Sequence, residues 1–139
     1  KDKDDNTNSI EGRWTTTEDV STISQNTTMA GVSISDTTYT ETSTGADLEG
    51  EGIEFLSDGS AIFFDEDGNY DTASYSYSNN MLSLTSSEFS FDEMDTTINI
   101  TVSNLTSNTM DWNFTSSYSL SEFGVTITAT IDSEIKYTK

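Results

Sequence analysis

Apolar and polar residues alternate with a period of two along most of the chain after Ile10, a pattern that predicts strands with one buried face. Three pairs of such runs are joined by turn sequences: residues 53–55 with 62–64, 73–77 with 82–84, and 98–102 with 110–114. The first pair is joined across Asp58-Gly59, and Asp-Gly between apolar runs is a strong hairpin signal. A last alternating run extends from Val125 to Tyr137. The pattern therefore predicts a series of antiparallel strands with local connections.

Three segments depart from this pattern. Residues 1–8 contain no apolar residue and predict a flexible acidic tether, which leaves one domain over residues 9–139. Residues 19–50 are rich in Thr, Ser and Gly and read as a long connection, with one strand expected near 31–40 where Val32 and Ile34 alternate. Residues 86–96 predict a loop or one helical turn.

A meander of consecutive strands leaves two edge strands whose backbone groups have to be paired or covered. Closure into a barrel removes the edges completely, whereas two stacked sheets remove them only in part. An immunoglobulin-like sandwich would require long crossovers, and the chain offers a single long connection at residues 19–50. We therefore expect an all-β fold, an antiparallel meander closing into a barrel of about 8–10 strands.

Charge and composition limit the possible functions. The chain carries 25 acidic and 5 basic residues, a net charge of −20, which would repel nucleic acids and anionic membranes. It contains no Cys and no His, which excludes thiol nucleophiles, Ser–His–Asp triads and the usual zinc sites. Only 32% of the residues are apolar, so the core has to be thin and regularly patterned.

The start of the first strand carries the most informative motif, Gly12-x-Trp14, which precedes the hairpin meander. This combination resembles the lipocalin superfamily. The resemblance implies that Trp14 closes the base of the barrel, that Gly12 lets the chain pass closely, and that a basic side chain from the last strand, Lys136 or Lys139, covers the indole.

Further short motifs make the chain similar to small bacterial lipocalin-like surface lipoproteins. They are Phe55 with Asp58-Gly59, Gly68 with Tyr70, and Leu82 with Leu84. The acidic KDKDDN start resembles the segment that follows the lipidated cysteine of such lipoproteins. The resemblance implies a precursor that is lipid-anchored at the bacterial outer membrane and cell surface, and a non-enzymatic binding role without a cofactor.

The apolar face of the predicted strands provides the candidate ligand site. We expect a small apolar or amphipathic ligand inside the barrel, held by aromatic residues on the shared face: Phe55, Phe64, Tyr75, Tyr77, Trp112 and Phe114. An eight-stranded barrel can also be filled by its own side chains. In that alternative the protein is a structural or accessory surface protein that acts through its outer face.

Acidic residues give two further hypotheses. Oxygen-bearing side chains alternate at Asp65, Asp67, Asn69 and Asp71, as in a calcium loop, although the spacing of Gly68 and the absence of a Glu at the twelfth position depart from an EF-hand. Carboxylate pairs such as Glu49/Glu51 or Asp92/Glu93 are the residue types that glycoside hydrolysis uses. An enzyme would need two of these carboxylates to converge in a cleft.

Overall fold

The computed structural model describes residues 9–89 and 96–139, so the predicted tether at 1–8 and the Asp92/Glu93 pair lie outside the described residues. Nine strands make up most of the described chain: β1 Gly12–Met29, β2 Val32–Thr44, β3 Gly52–Phe55, β4 Ser60–Phe64, β5 Tyr70–Ser78, β6 Met81–Ser86, β7 Thr96–Ser103, β8 Thr109–Glu122 and β9 Val125–Thr138. Short 3₁₀ turns occupy Gly45–Leu48 and Ser87–Phe89. The all-β prediction is confirmed, and so are the three hairpins read from the sequence.

Strand β1 closes the barrel because it pairs with strands on both of its sides. Its first residues, Gly12 to Thr15, pair with β3, and the strand also runs antiparallel to the last strand, β9, from Thr15 onward. Strands β3 to β9 follow in sequence order, each bonded to the next. Eight strands, β1 and β3 to β9, therefore form a closed antiparallel barrel, and β2 is added outside it.

A bulge at Thr17 changes which side chains of β1 face inward. Thr16 pairs with Tyr137 and Glu18 pairs with Lys136, so Thr17 has no opposite residue on β9. Trp14 and Thr16 are buried before the bulge. Because the side-chain period of a strand is two, one extra residue reverses the parity, and odd-numbered residues such as Asp19 share the inner side beyond it.

The strand expected near 31–40 is confirmed as β2, but the rest of the predicted connection at residues 19–50 is wrong, because most of it belongs to the long strand β1 and its hairpin with β2. β1 continues to Met29, turns at Ala30 and Gly31, and returns as β2, paired from Met29–Val32 down to Glu18–Thr44. Beyond Asn113, β8 pairs with β9 alone. The outer parts of these strands form a four-stranded sheet, ordered β2-β1-β9-β8, which projects from the barrel and which we call the arm.

The residues of the Gly-x-Trp motif lie at the base of the barrel. Trp14 is fully buried and its indole Nε1 donates a hydrogen bond to the carbonyl of Ile10 at 2.7 Å. The Lys139 ammonium lies over the Trp14 ring, 4.3 Å from its centroid, and donates a hydrogen bond to the carbonyl of Glu11. Gly12 has a φ of +110°, and a Cβ there would lie 3.2 Å from the Lys139 side chain.

Of the two lysines expected to cover Trp14, the structure places Lys139 there and Lys136 elsewhere. The Lys136 ammonium lies 2.6 Å from a carboxylate oxygen of Glu18, beside the β1 bulge. Successive residues of a strand point to opposite faces, so Lys136 points outward when its neighbour Tyr137 points into the core. The Glu18 partner raises the pKa of Lys136.

Gly52 marks the closest approach of β3 to β1. A Cβ at Gly52 would lie 2.3 Å from the carbonyl oxygen of Trp14. Contacts this short do not occur between a real Cβ and backbone, so the pairing of β1 with β3 requires glycine at this position. The sequence gives no sign that Gly52 differs from the turn glycines.

We predict that Gly52→Ala destabilises the fold by about 1–3 kcal/mol, since the methyl group forces apart two backbones that the barrel has to keep paired. Urea unfolding followed by far-UV circular dichroism measures the loss. Ser76→Ala, at an exposed position of β5, serves as the control and should change stability by less than about 0.5 kcal/mol. Equal effects of the two substitutions would show that the barrel tolerates wider spacing between β1 and β3.

Candidate functional site

Three of the six predicted ligand residues meet inside the barrel, where they contact one another. The Phe55 ring lies edge-on to Tyr75, with centroids 4.8 Å apart, and 6.2 Å from Trp112. Trp112 in turn contacts Tyr137 at 4.7 Å. Phe55, Trp112 and Tyr137 are buried, and the Tyr75 hydroxyl donates a hydrogen bond to the carbonyl of Leu56. These rings pack as a core.

The other three predicted residues lie in different places. Phe64 is on the outer surface, where the Arg13 guanidinium stacks 4.0 Å from its ring centroid, so the sequence was wrong to place it among the inward residues. Phe63 is the inward residue of this pair and packs against the core. Tyr77 packs at the edge of the core, and half-buried Phe114 begins the part of β8 that belongs to the arm.

Two carboxylates converge at the end of the barrel from which the arm projects. Asp19 and Glu51 line a cleft of about 120 Å³ together with Thr16, Phe63 and Tyr137. Burial raises the pKa of Asp19 above its usual value. Burial, and then the negative charges of Asp19, Glu66 and Asp65, raise the pKa of Glu51. The sequence named Glu51 in the pair Glu49/Glu51, but the carboxylate nearest to it in this cleft comes from β1.

The predicted calcium loop is held by its own hydrogen bonds. One carboxylate oxygen of Asp65 accepts the backbone N–H groups of Asp67 and Asn69, and the other accepts the Asn69 side-chain amide. These donors lower the pKa of Asp65, the Asn69 side chain most strongly. The carboxylate thus stabilises the turn between β4 and β5. Within residues 9–89 and 96–139, no group of three acidic residues is placed to hold a metal ion, and calcium binding at Asp65, Asp67, Asn69 and Asp71 stays a prediction.

The largest feature that the sequence did not indicate is the face of the arm that continues the barrel interior, which we call the inner face. Directly opposite residues of antiparallel strands share a face, and the inward residues Trp112 and Ile135 pair with each other at its base. Five rows follow, from β2 across β1 and β9 to β8: Glu41-Ser21-Ser133-Phe114, Tyr39-Ile23-Ile131-Ser116, Thr37-Gln25-Ala129-Tyr118, Ser35-Thr27-Ile127-Leu120 and Val32-Met29-Val125-Glu122.

Large apolar side chains of the inner face are open to solvent. Tyr118 and Leu120 are 52% and 55% exposed, and Met29, Val32 and Tyr39 are exposed to a similar degree. The five rows carry only two charged residues, Glu41 and Glu122 at the two ends, and Asp19 lies beside Ile135 at the base of the face. An exposed sheet face with large apolar side chains and few charges is typical of an interaction site.

The opposite face of the arm is polar along its length except at Val20. Its rows consist mainly of Thr and Ser, with the acidic residues Asp36, Asp132 and Glu134. The hydroxyls bond across the strands, for example Thr22 with Thr40 at 3.1 Å and Ser121 with Thr126 at 2.8 Å. The arm is therefore an amphipathic sheet, with one face suited to water and the other suited to burial.

Phe123 extends the inner face at the tip of the arm. It is fully exposed and stands with Gly124 in the two-residue turn between β8 and β9. Its φ is +49°, in the left-handed region that Asn and Gly adopt far more easily than a bulky residue. Together with Leu120, Val125 and Ile127 it lines an open groove of about 290 Å³. A strained, exposed aromatic residue beside an apolar groove points to contact with a partner.

A second, polar groove lies where β7 and β8 separate. These strands pair only between Thr101–Ser103 and Asp111–Asn113 and then diverge. The groove has a volume of about 530 Å³ and is lined mainly by hydroxyl, amide and carboxylate side chains: Thr22, Asn99, Thr101, Asn113, Thr115, Asp132 and Glu134. Two of its groups already bond each other, because the Thr115 hydroxyl donates to Asp132 at 2.6 Å.

No family model, curated protein or solved structure matches the chain. The lipocalin-like resemblance of the Gly12-x-Trp14 motif therefore stays a prediction, while the barrel itself is established by the strand pairing. In the described part of the chain, no helix has the length and apolar character needed to cross a membrane.

We predict that Trp112→Ala lowers the free energy of unfolding by about 3–5 kcal/mol, because the indole is part of the ring cluster that fills the barrel. Tyr118→Ala, on the same strand and the same face but in the exposed arm, should cost less than about 1 kcal/mol. Chemical denaturation of both variants measures the difference. A small cost at Trp112 would instead favour a barrel that leaves room for a ligand.

A second prediction concerns pH and the Asp19–Glu51 cleft. A raised carboxyl pKa means that the folded chain holds more protons than the unfolded chain between the ordinary and the raised pKa, so stability falls as pH rises through that window. Asp19→Asn should therefore stabilise the protein at pH 7, and the gain should disappear by about pH 4, where Asp side chains become protonated in the unfolded chain. Urea titrations from pH 4 to pH 7 measure it.

The matched control is Asp36→Asn, which removes the same charge from an exposed site on β2. Both substitutions relieve the general repulsion of a chain with net charge −20. Only Asp19→Asn also removes the cost of burying a carboxylate. An equal gain from the two variants at pH 7 would contradict the role assigned to burial at Asp19.

Proposed function

We propose that this protein is a non-enzymatic binding protein that engages an apolar partner surface through the inner face of its arm. The single observation that supports this best is the exposure of Met29, Val32, Tyr39, Tyr118 and Leu120 on one sheet face that carries few charges. The barrel acts as the rigid base that holds β1 and β9 in register, because both strands continue from its wall into the arm.

The size of the inner face supports a protein-scale partner surface or an extended amphipathic molecule. Four strands about 4.8 Å apart, and nine residues rising about 3.3 Å each, give a face of roughly 600 Å². The largest apolar patch on an ordinary monomer is about 300–600 Å² and is often functional. Eleven of the twenty residues in the five rows are apolar, so the apolar part of the face, roughly 300 Å², lies within the range of such patches.

The packing inside the barrel favours the filled-barrel alternative over a ligand held within it. Phe55, Tyr75 and Trp112, the residues expected to hold a ligand, contact one another. We therefore propose that the apolar binding surface lies on the arm, next to Phe114, and not inside the barrel as expected from the sequence.

The cellular setting of the proposal comes from the sequence resemblance alone. A lipid anchor at the bacterial outer membrane would leave the barrel and arm free in solution beyond the acidic tether at residues 1–8. The negative charge of the chain would hold it away from an anionic surface. An uncharged face such as that of the arm is suited to a partner that the acidic body would otherwise repel.

Titration with the neutral dye Nile red, at low micromolar protein concentration, tests the proposal. We expect saturable binding with a blue-shifted emission, weakened about tenfold by Leu120→Ser or Tyr118→Ser, since each removes a large part of the apolar contact. Ser119→Ala and Ser121→Ala, on the opposite face of the same strand, should leave the affinity unchanged. Circular dichroism confirms that each variant is folded.

Two results would contradict the proposal. Dye binding that is unaffected by the arm substitutions but lost in Tyr77→Ala would move the site to the cleft between the N-terminal segment and β5, which Tyr75 and Tyr77 line. The absence of any dye binding by the monomeric chain would show that the inner face does not accept apolar molecules.

A further inference from the structure

The area, charge and shape of the inner face indicate which partner it binds. This inference rests on the proposed function. We infer that the face binds the same face of a second copy of this chain, so that two arms stack as a β-sandwich about a two-fold axis. Face-to-face packing of two sheets about 10 Å apart would bury roughly 1,200 Å² in total, which reaches the range of specific protein interfaces.

Charge favours this occupant over an ionic partner. Each copy carries a net charge of −20, so two copies can associate only through surfaces that keep carboxylates apart. The inner face meets this requirement, because Glu41 and Glu122 lie on its two outer strands, β2 and β8, three strand spacings apart. A basic partner would instead be attracted to the acidic remainder of the surface and would gain nothing from the uncharged arm.

The charge of the barrels also decides how the two arms are oriented. Side by side, with the arm tips together, the two acidic barrels would collide and repel. In the antiparallel arrangement the arm keeps the barrels about 30 Å apart, several times the Debye length of about 8 Å at physiological ionic strength. The antiparallel arrangement is therefore the one that the charge distribution permits.

The rows of the inner face suit this arrangement. The two-fold axis runs along the middle row, Thr37-Gln25-Ala129-Tyr118. Each strand of one arm then lies over the same strand of the other copy, and the rows at the base of one arm lie over the rows at the tip of the other arm. Leu120 of one copy then lies over Ser116 of the other, and Val125 lies over Ser133, so large side chains meet small ones. Ile131 lies over Ile127, which adds an apolar contact between the two β9 strands. The exposed Phe123 of one copy reaches the base of the other arm, near Phe114.

Sedimentation equilibrium of the full 139-residue chain tests the inference. We expect a reversible dimer that Leu120→Lys weakens about 30-fold or more, since it places a charge within the apolar contact. Ser119→Lys adds the same charge on the opposite face and should change the dissociation constant by less than about threefold. Raising NaCl should tighten the dimer because it screens the repulsion of the barrels.

Cross-linking gives a second test that does not depend on a disruptive variant. The chain contains no cysteine, so one introduced cysteine is unique. Gln25→Cys, in the middle row, should form a covalent dimer at least tenfold faster than Asn26→Cys, the next residue on the opposite face. Glu122→Cys lies at the arm tip and should cross-link slowly. Fast cross-linking at Glu122 would overturn the antiparallel arrangement.

The dye titration separates failure of this inference from failure of the proposed function. The dimer is overturned if the wild-type chain stays monomeric up to about 1 mM, because a dissociation constant above this value is too weak for a specific pair. If such a monomer still binds Nile red through Leu120, the inner face serves another apolar partner and the proposed function stands. If it binds no dye, both fail. With the dimer present, dye bound per chain should fall as protein concentration rises.

Discussion

The pairing of β1 with three other strands is the constraint on which the rest of the structure depends. Its first residues close the barrel against β3, and its remaining length joins β9 on one side and β2 on the other. The bulge at Thr17 reverses the parity of the strand between these two roles. Without that extra residue, Ile23 and Met29 would point to the side opposite Ile131 on β9, and the apolar residues of the arm would be divided between its two faces.

Close backbone approach at two glycines allows this arrangement in a chain with few apolar residues. Gly52 lets β3 pair with β1 beside the Trp14 carbonyl, and Gly12 leaves room for Lys139 over the indole. The barrel interior is then filled by a small number of large side chains in direct ring contact. Ring contacts inside the barrel hold its wall strands together, and β1, β8 and β9 continue from this wall into the arm. The buried core and the exposed apolar face thereby lie at different points along the same strands.

Charge is also distributed unevenly between the barrel and the two faces of the arm. Carboxylates cover the barrel and the polar face of the arm, and they are nearly absent from the inner face. Where two of them are drawn toward the core, at Asp19 and Glu51, burial raises the pKa of both. The acidic surface therefore repels anionic molecules, and the inner face is where an uncharged surface can make contact with few carboxylates nearby.

The sequence alone determined the strands in which large apolar residues alternate with polar ones, and the hairpins of β3 to β8, because period-two patterning and turn residues are local signals. The position of Trp14 at the barrel base was expected from the resemblance of the Gly12-x-Trp14 motif. It misplaced Phe64 by one residue and read 19–50 as a connection, since Thr and Ser can face either a core or water. Only the tertiary structure decided that Lys139 covers Trp14, that Gly52 must lack a side chain, and that Asp19 meets Glu51. These depend on strand register between distant segments, and register at the Thr17 bulge is set by pairing across the barrel.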